Sequence, residues 1–264
     1  MQDLGESARR GEDLMRAAVM GDRNAIQALL ADPALLRDPG IDVNWRSPEG
    51  NTALMWAVNG DHLAIVEALL THQEVAVNQQ DNDDLTALMQ AAGANNQAMG
   101  EALLRQYRRT VLAYQDSRAV LAYQGIAVNQ RDNDDLTALM RAAGGNNLAI
   151  VEALLRHQNI EVNQRSNDGH TALMWAVYSG NLAIVAALLR HQGIEVNQQD
   201  NDGWTALMLA ARDGHSTMVE ALLSCPDTDA SILNRFGQTA QDIAAGNAEI
   251  ERLFEEHGSC PWLK

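Results

Sequence analysis

Cysteine is almost missing from this chain of 264 residues: Cys225 and Cys260 are the only two, at no metal-ligand or redox spacing. A structural disulfide is therefore not expected, and a reducing compartment is the default. Basic residues are also short, 19 against 35 acidic, for a net charge of −16. A field of that sign repels nucleic acid and anionic membrane, so neither is expected as a partner. It keeps the chain in solution and attracts a basic or mixed-charge protein surface. No apolar run approaches membrane-spanning length. The polar start, Met1-Gln2-Asp3-Leu4-Gly5-Glu6, has no apolar core of a signal peptide. A cytoplasmic location is expected, with the note that a non-classical export machine leaves no such mark.

Catalytic motifs are absent too. There is no G-x-G-x-x-G, P-loop or G-x-S-x-G. His72, His157 and His191 recur at equivalent places, but each falls at a helix end, where positive charge suits the dipole. Stacked copies stand too far apart to share a metal. The Asn-Asp-Asp and Asn-Asp-Gly turns lack the spacing and late Glu of a calcium loop. No catalytic residue, metal or cofactor is expected, and the chain reads as a non-enzyme.

What is present is repetition. Thr-Ala-Leu-Met occurs five times, starting at Thr52, Thr86, Thr137, Thr171 and Thr205, with steps of 34, 51, 34 and 34. A sixth Thr-Ala starts at Thr239, another 34 on. Such a period means one supersecondary unit copied and stacked into a solenoid. The step of 51 is 34 plus an insertion of 17 residues. In the copy beginning at Asn163, the sequence Asn167-Asp168-Gly169 is a turn signal. Thr171 is a helix cap. Leu173, Ala176 and Val177 give a first helix its apolar face, and Gly180 breaks it. Ile184, Val185, Leu188 and Leu189 mark a second helix, ending near Gly193.

This unit resembles an ankyrin repeat. Thr205-Ala206-Leu207-Met208-Leu209-Ala210-Ala211, Gly214, Val219 and Leu222-Leu223 fill the family pattern T-P-L-H-x-A-A, x-x-G, I-V-x-x-L-L. Ala replaces the family's Pro, Met replaces its His, and each copy has one extra residue after the second helix. The resemblance implies an all-α ankyrin-type solenoid of helix-turn-helix repeats joined by β-hairpin-like loops. It also implies that Asn78, Asn129, Asn163 and Asn197, each after Val, hydrogen-bond the loop; in animal cells this Asn is a substrate for hydroxylation. Met55, Met89, Met140, Met174 and Met208 cannot bond loops as the family's His does, and are expected to pack in the core.

A single domain over 1–264 follows. An N-terminal cap covers 8–44, with helices at 13–20 and 24–30 and a loop containing Pro33 and Pro39. Full repeats cover 45–78, 79–129 (insertion near 106–122), 130–163, 164–197 and 198–231, and a C-terminal cap covers 232–258, with helices at 240–245 and 248–256. Glu249, Glu251, Glu255 and Glu256 give the last helix the polar outer face that a terminal unit needs.

Positions that repeat are demanded by stacking; positions that vary are free for recognition. The residue before the capping Thr reads Asn51, Leu85, Leu136, His170, Trp204. Four after it stand Trp56, Gln90, Arg141, Trp175 and Leu209, and seven after it Asn59, Gly93, Gly144, Tyr178 and Arg212. In ankyrin proteins these positions line the concave groove that holds partners. The candidate partner-binding set is therefore Trp45, Trp56, Leu85, Gln90, Leu136, Arg141, His170, Trp175, Tyr178, Trp204 and Arg212. Aromatics make up only 4% of the chain, and Trp is the residue most enriched in binding hot spots. Trp45 stands where other copies have Gln, which predicts an exposed ring.

The insertion carries Val-Leu-Ala-Tyr-Gln twice, at 111–115 and 120–124. Tyr107, Val111, Tyr114 and Leu121 form an apolar stripe that predicts one helix running past the usual stop. Arg105, Arg108, Arg109 and Arg118 gather there against one Asp116. This insertion surface (Tyr107, Arg108, Arg109, Val111, Tyr114, Arg118) can dock on its own stack, on a second chain or on a target. Gly93 and Gly100, which replaces a Val of other copies, make this copy the expected soft point.

Two functions fit. One is a binding module holding a protein segment in the groove, with a monomer favoured. The alternative is a self-associating scaffold pairing through 107–122. A bacterial effector delivered into a host cell is one source compatible with the near-identical copies.

Overall fold

Every capping Thr stands one residue outside a helix in extended backbone, with ψ between 162° and 169°. From there its hydroxyl accepts the N–H three residues on, at 3.1–3.3 Å in all six copies. The computed structural model describes residues 3–31, 42–72, 74–113 and 126–258. Among them the chain forms fourteen helices and no extended strand, only an isolated bridge between Gln80 and Thr86. The hairpin-like loops expected from the family are tight turns, one of them closed by that antiparallel bridge.

The chain divides into two compact units, Met1–Asn133 and Asp134–Lys264. Unit 1 holds α1 (Asp3–Met20), α2 (Arg23–Ala31), α3 (Ala53–Asn59), α4 (Leu63–Leu70), α5 (Ala87–Gly93) and α6 (Gln97–Ala113). Unit 2 holds α7 (Ala138–Gly144), α8 (Leu148–Leu155), α9 (Ala172–Tyr178), α10 (Leu182–Leu189), α11 (Ala206–Arg212), α12 (Ser216–Leu223), α13 (Ala240–Ile243) and α14 (Ala248–Gly258). In each unit first helices pack on first helices and second on second. Thus α1, α3 and α5 form one layer of unit 1 and α2, α4 and α6 the other. In unit 2, α7, α9, α11 and α13 face α8, α10, α12 and α14. First helices of seven residues are too short to persist alone, so stacking must hold them.

Stacking buries the repeated residues and little else. Met55, Met89, Met140, Met174 and Met208 are only 1–2% exposed, which makes them core. Their sulfurs also do more than fill space. The Thr52 N–H donates to Met55 Sδ at 3.4 Å and the Thr86 N–H to Met89 Sδ at 3.5 Å, closing a reciprocal cap with sulfur as acceptor. These bonds stay within one copy, so Met does not tie neighbouring loops as the family's His does. In the last copy Asp242 takes the position and accepts the Thr239 N–H at 2.9 Å through a carboxylate oxygen. With the position exposed to water there, a charged acceptor is no longer costly.

Between copies the Asn after Val is the tie. Asn163 donates its amide to the Gly193 carbonyl (2.8 Å) and accepts the Glu195 N–H (2.9 Å). Asn197 does the same with Asp227 and Asp229, and Asn44 with Glu74 and Ala76. Asn78 accepts the Ala127 N–H at 2.7 Å. Each bonds the loop of the following copy, thereby setting the step between them.

Four helices differ in extent from expectation, α2 by one residue at each end. α1 starts at Asp3, ten residues before the 13–20 reading, α13 stops at Ile243 and α14 continues to Gly258. α6 has 17 residues where α4 and α8 have eight, so the insertion begins as a continuation of a second helix. Gly100 lies buried inside it. Of the insertion residues singled out, Tyr107, Arg108, Arg109 and Val111 fall on this helix. Tyr114 and Arg118 lie outside the described residues, as do Pro33 and Pro39.

Candidate functional site

Unit 2 gathers five of the variable residues into one contact cluster. Trp175 and Tyr178 lie three apart on α9, hence on one side of the helix. His170 precedes the capping Thr of the same copy. Its ring meets Trp175 edge-on at 5.7 Å between centroids and Tyr178 at 5.2 Å. The Trp175 and Tyr178 rings are 6.2 Å apart. All three separations lie in the range where aromatic edges and faces attract. From the next copy, Arg212 closes α11 and places its guanidinium 5.4 Å from both the Tyr178 and the Trp204 ring centres. A cation so placed between two aromatic faces is held by their quadrupoles.

Two acidic residues anchor this arrangement. Asp200 accepts the Asp202 and Trp204 N–H groups through Oδ1, at 2.9 and 2.8 Å. Its Oδ2 stands 3.3 Å from His170 Nε2. One buried carboxylate thus shapes the turn carrying Trp204 and positions the His170 of the preceding copy. The Tyr178 hydroxyl lies 3.4 Å from the same His170 nitrogen. Asp213 receives both ends of the Arg212 fork, at 2.8 and 3.0 Å. That bond holds the Arg212 guanidinium above its usual pKa, against partial burial. Trp175 Nε1 and His170 Nδ1 are buried, with no hydrogen-bond partner among the described residues.

The other candidate residues fall elsewhere. Leu136 and Arg141 are half-buried in unit 2, on the copy before the cluster. In unit 1, Gln90 donates its amide to Asn51 Oδ1 (3.2 Å) and Asp81 Oδ2 (3.0 Å). Leu85 and Trp56 are half-buried, and Trp56 Nε1 has no partner among the described residues. Trp45 is not the open ring expected. A Cβ on Gly11 of α1 would come within 2.5 Å of Trp45 Cβ and 2.8 Å of its Cγ, so the Trp packs on the helix at a place only Gly leaves free.

Variation between copies is therefore only partly free. The position seven after the Thr is exposed in every copy, Tyr178 and Arg212 included, whereas His170, Trp175, Trp204 and Gln90 are half-buried and Leu209 is fully buried. Sequence comparison passed over Asp200 and Asp213. Asp200 had a visible signal, because its position reads Ser47, Asp81, Asp132, Ser166, Asp200 and Asn234, always a side-chain oxygen. Asp213 had none. Among the described residues no group of His, Cys, Asp and Glu is arranged to hold a metal, and no helix is long and apolar enough to cross a membrane.

Comparison with known proteins agrees with this architecture. A family model for ankyrin repeats in three copies matches residues 14–116, 110–200 and 192–263. The crystal structure of the ankyrin repeat domain of Bcl-3, described as a unique member of the IkappaB protein family, superposes with a TM-score of 0.75 at 23% identity, covering 92% of this chain and 97% of that one. The human ASB11 ankyrin repeat domain gives 0.67 at 21% identity, covering 94% and 98%. Among curated proteins, none matches the chain in sequence. Ankyrin repeats are in general protein–protein interaction modules, a non-enzymatic use of a stacked fold. With its repeated caps, its Asn ties and its matched length, this chain belongs to the ankyrin-repeat family.

Proposed function

We propose that the chain is a non-enzymatic module that holds a protein segment against the first helices and turn tips of unit 2, with Trp175, Tyr178 and Trp204 as apolar anchors and Arg212 and His170 as polar guides. The observation carrying this reading is the mutual packing of those five residues, all at positions that differ from copy to copy. Rings fixed by neighbours lose little entropy on binding, which is what a hot spot requires. Leu136 and Arg141, and in unit 1 Trp56, Leu85 and Gln90, extend the recognition surface; Trp45 contributes through its packing on α1. The acidic balance favours a partner with basic or mixed charge, and the chain works as a cytoplasmic monomer.

The test is to isolate a partner by affinity capture and titrate it calorimetrically with the native chain and with Trp175→Ala plus Trp204→Ala. A hot-spot aromatic typically costs about 2 kcal/mol or more, so affinity should fall at least about 30-fold even if only one of the two is such an anchor. A change under about 0.5 kcal/mol would remove the assignment.

The long α6 favours a second reading, self-association through the inserted segment 107–122, with Tyr107, Arg108, Arg109, Val111, Tyr114 and Arg118 as the residues that would meet another chain. Sedimentation at several concentrations, with and without 107–122, decides it. A native chain that is monomeric throughout rejects pairing.

A further inference from the structure

The last loop breaks a rule the other five obey. Three residues before the capping Thr stand Glu49, Asp83, Asp134, Asp168, Asp202 and then Phe236. Six before it stand Arg46, Gln80, Arg131, Arg165, Gln199 and then Leu233. In earlier copies the long polar side chain serves the turn: Arg165 Nε donates to the Gly169 carbonyl (3.1 Å), and Gln199 Nε2 to those of Gly203 (2.7 Å) and Leu233 (2.9 Å). Leu233 cannot do this. It is 55% exposed and Phe236 73%, where every earlier copy has a polar side chain at both positions.

The fold does not need either side chain. The last turn is closed by Asn234, whose Oδ1 accepts the Phe236 and Gln238 N–H groups at 2.9 and 3.0 Å. Any residue but proline at 236 would leave those bonds intact, since they use only backbone N–H groups. The tips of unit 2 are joined in series by backbone bonds, Asn167 N–H to Asp134 carbonyl (3.2 Å), Asn201 to Asp168 (3.0 Å) and Arg235 to Asp202 (3.1 Å). Phe236 therefore ends a row formed by Asp134, Asp168 and Asp202. The adjacent cation, Arg235, is engaged by Asp202 at 3.3 Å.

We propose that Leu233 and Phe236, flanked by this acidic row, form a second docking surface for a cationic amphipathic protein segment, whose apolar face covers the two side chains while its basic residues meet the aspartates. A second copy of this chain is disfavoured as occupant, since it would bring the same acidic row and a net charge of −16.

The experiment titrates the full chain with a fluorescein-labelled amphipathic helical peptide of Leu and Lys, followed by anisotropy, beside a Leu and Glu peptide of the same apolar face. The variants are L233Q/F236D and Phe236→Asp alone. Both put in residues that the same positions already carry in other copies, and circular dichroism checks that they fold. These variants are more acidic than the native chain, so charge attraction alone would strengthen their binding. The proposal expects the opposite: about ten-fold or greater loss of affinity for the Lys peptide, no binding of the Glu peptide, and native binding that weakens between about 50 and 200 mM salt. Trp175→Ala plus Trp204→Ala should leave this binding unchanged. Equal affinity of native and variant, equal binding of both peptides, or a native dimer that the variants abolish would each overturn it.

Discussion

Replacing Asp200 by Ala removes the acceptor of the Asp202 and Trp204 N–H groups and the oxygen 3.3 Å from His170. Hydrogen bonds to a charged group contribute roughly 1.5–3 kcal/mol each, and an abandoned buried donor costs about 1–3. The Asp202 amide is open to water, so its loss is partly made good, whereas the Trp204 amide is half-buried. The total for Asp200→Ala is then about 2–4 kcal/mol. The chain supplies its own control. Asn234 holds the equivalent place and closes its turn with the same two acceptor bonds, so an amide oxygen suffices. Asp200→Asn should cost no more than about 1 kcal/mol. Asp200→Ser should fall between, since Ser166 makes one such bond, to the His170 N–H at 3.2 Å. Urea unfolding by far-ultraviolet circular dichroism gives the global change, and Trp fluorescence in a background where the other four tryptophans are replaced by Phe follows the Trp204 turn separately, which matters because stacked repeats can unfold in parts. If Asn costs as much as Ala, the carboxylate charge and not the acceptor geometry holds the turn. If Ala costs under about 0.5 kcal/mol, the bonds are not supporting it at all.

Three other expectations rest on single residues. Gly169 sits at φ +84°, where an added Cβ would approach Arg165 and the Asn201 backbone within 2.7 Å, so Gly169→Ala should cost about 2–3 kcal/mol. Asp84 holds the same turn position at φ 58°, and Asp84→Gly should change unfolding free energy by less than about 0.5 kcal/mol; a large loss would mean the Asp side chain, not the backbone, is what that turn needs. Burial holds the His157 ring below its usual pKa of 6.5, while its Nδ1 accepts the Asn159 N–H at 3.4 Å. The folded state therefore binds its proton less readily than the unfolded chain. Stability is fully present above pH 6.5 and falls as pH drops through the lowered folded value. Thermal melts from pH 7 to about pH 5 should show a smaller decline for His157→Asn than for the native chain, and equal slopes would show that His157 is not the group responsible.

The repeat, its helices and their caps were legible in the sequence because they depend on local rules applied in phase. A Thr before a short apolar run caps it in every copy, and a Met three residues on must be buried whenever another copy lies alongside. The Asn after Val announced a loop bond for the same reason. What varies between copies was legible only as identity. Whether Trp175 is an open ring or one wedged against His170 and Tyr178 depends on how side chains eight residues apart turn toward each other, and the packing of Trp45 on Gly11 depends on the neighbouring copy's backbone. The partnership of His170 with Asp200 joins residues thirty apart and has no local signature. Sequence alone determined the period, the stacked all-α plan and the capping chemistry, since each follows from dihedral preference and apolar spacing within one copy. Tertiary structure decided which variable side chains meet and which face water, because those distances are set between copies, where no single repeat carries the information.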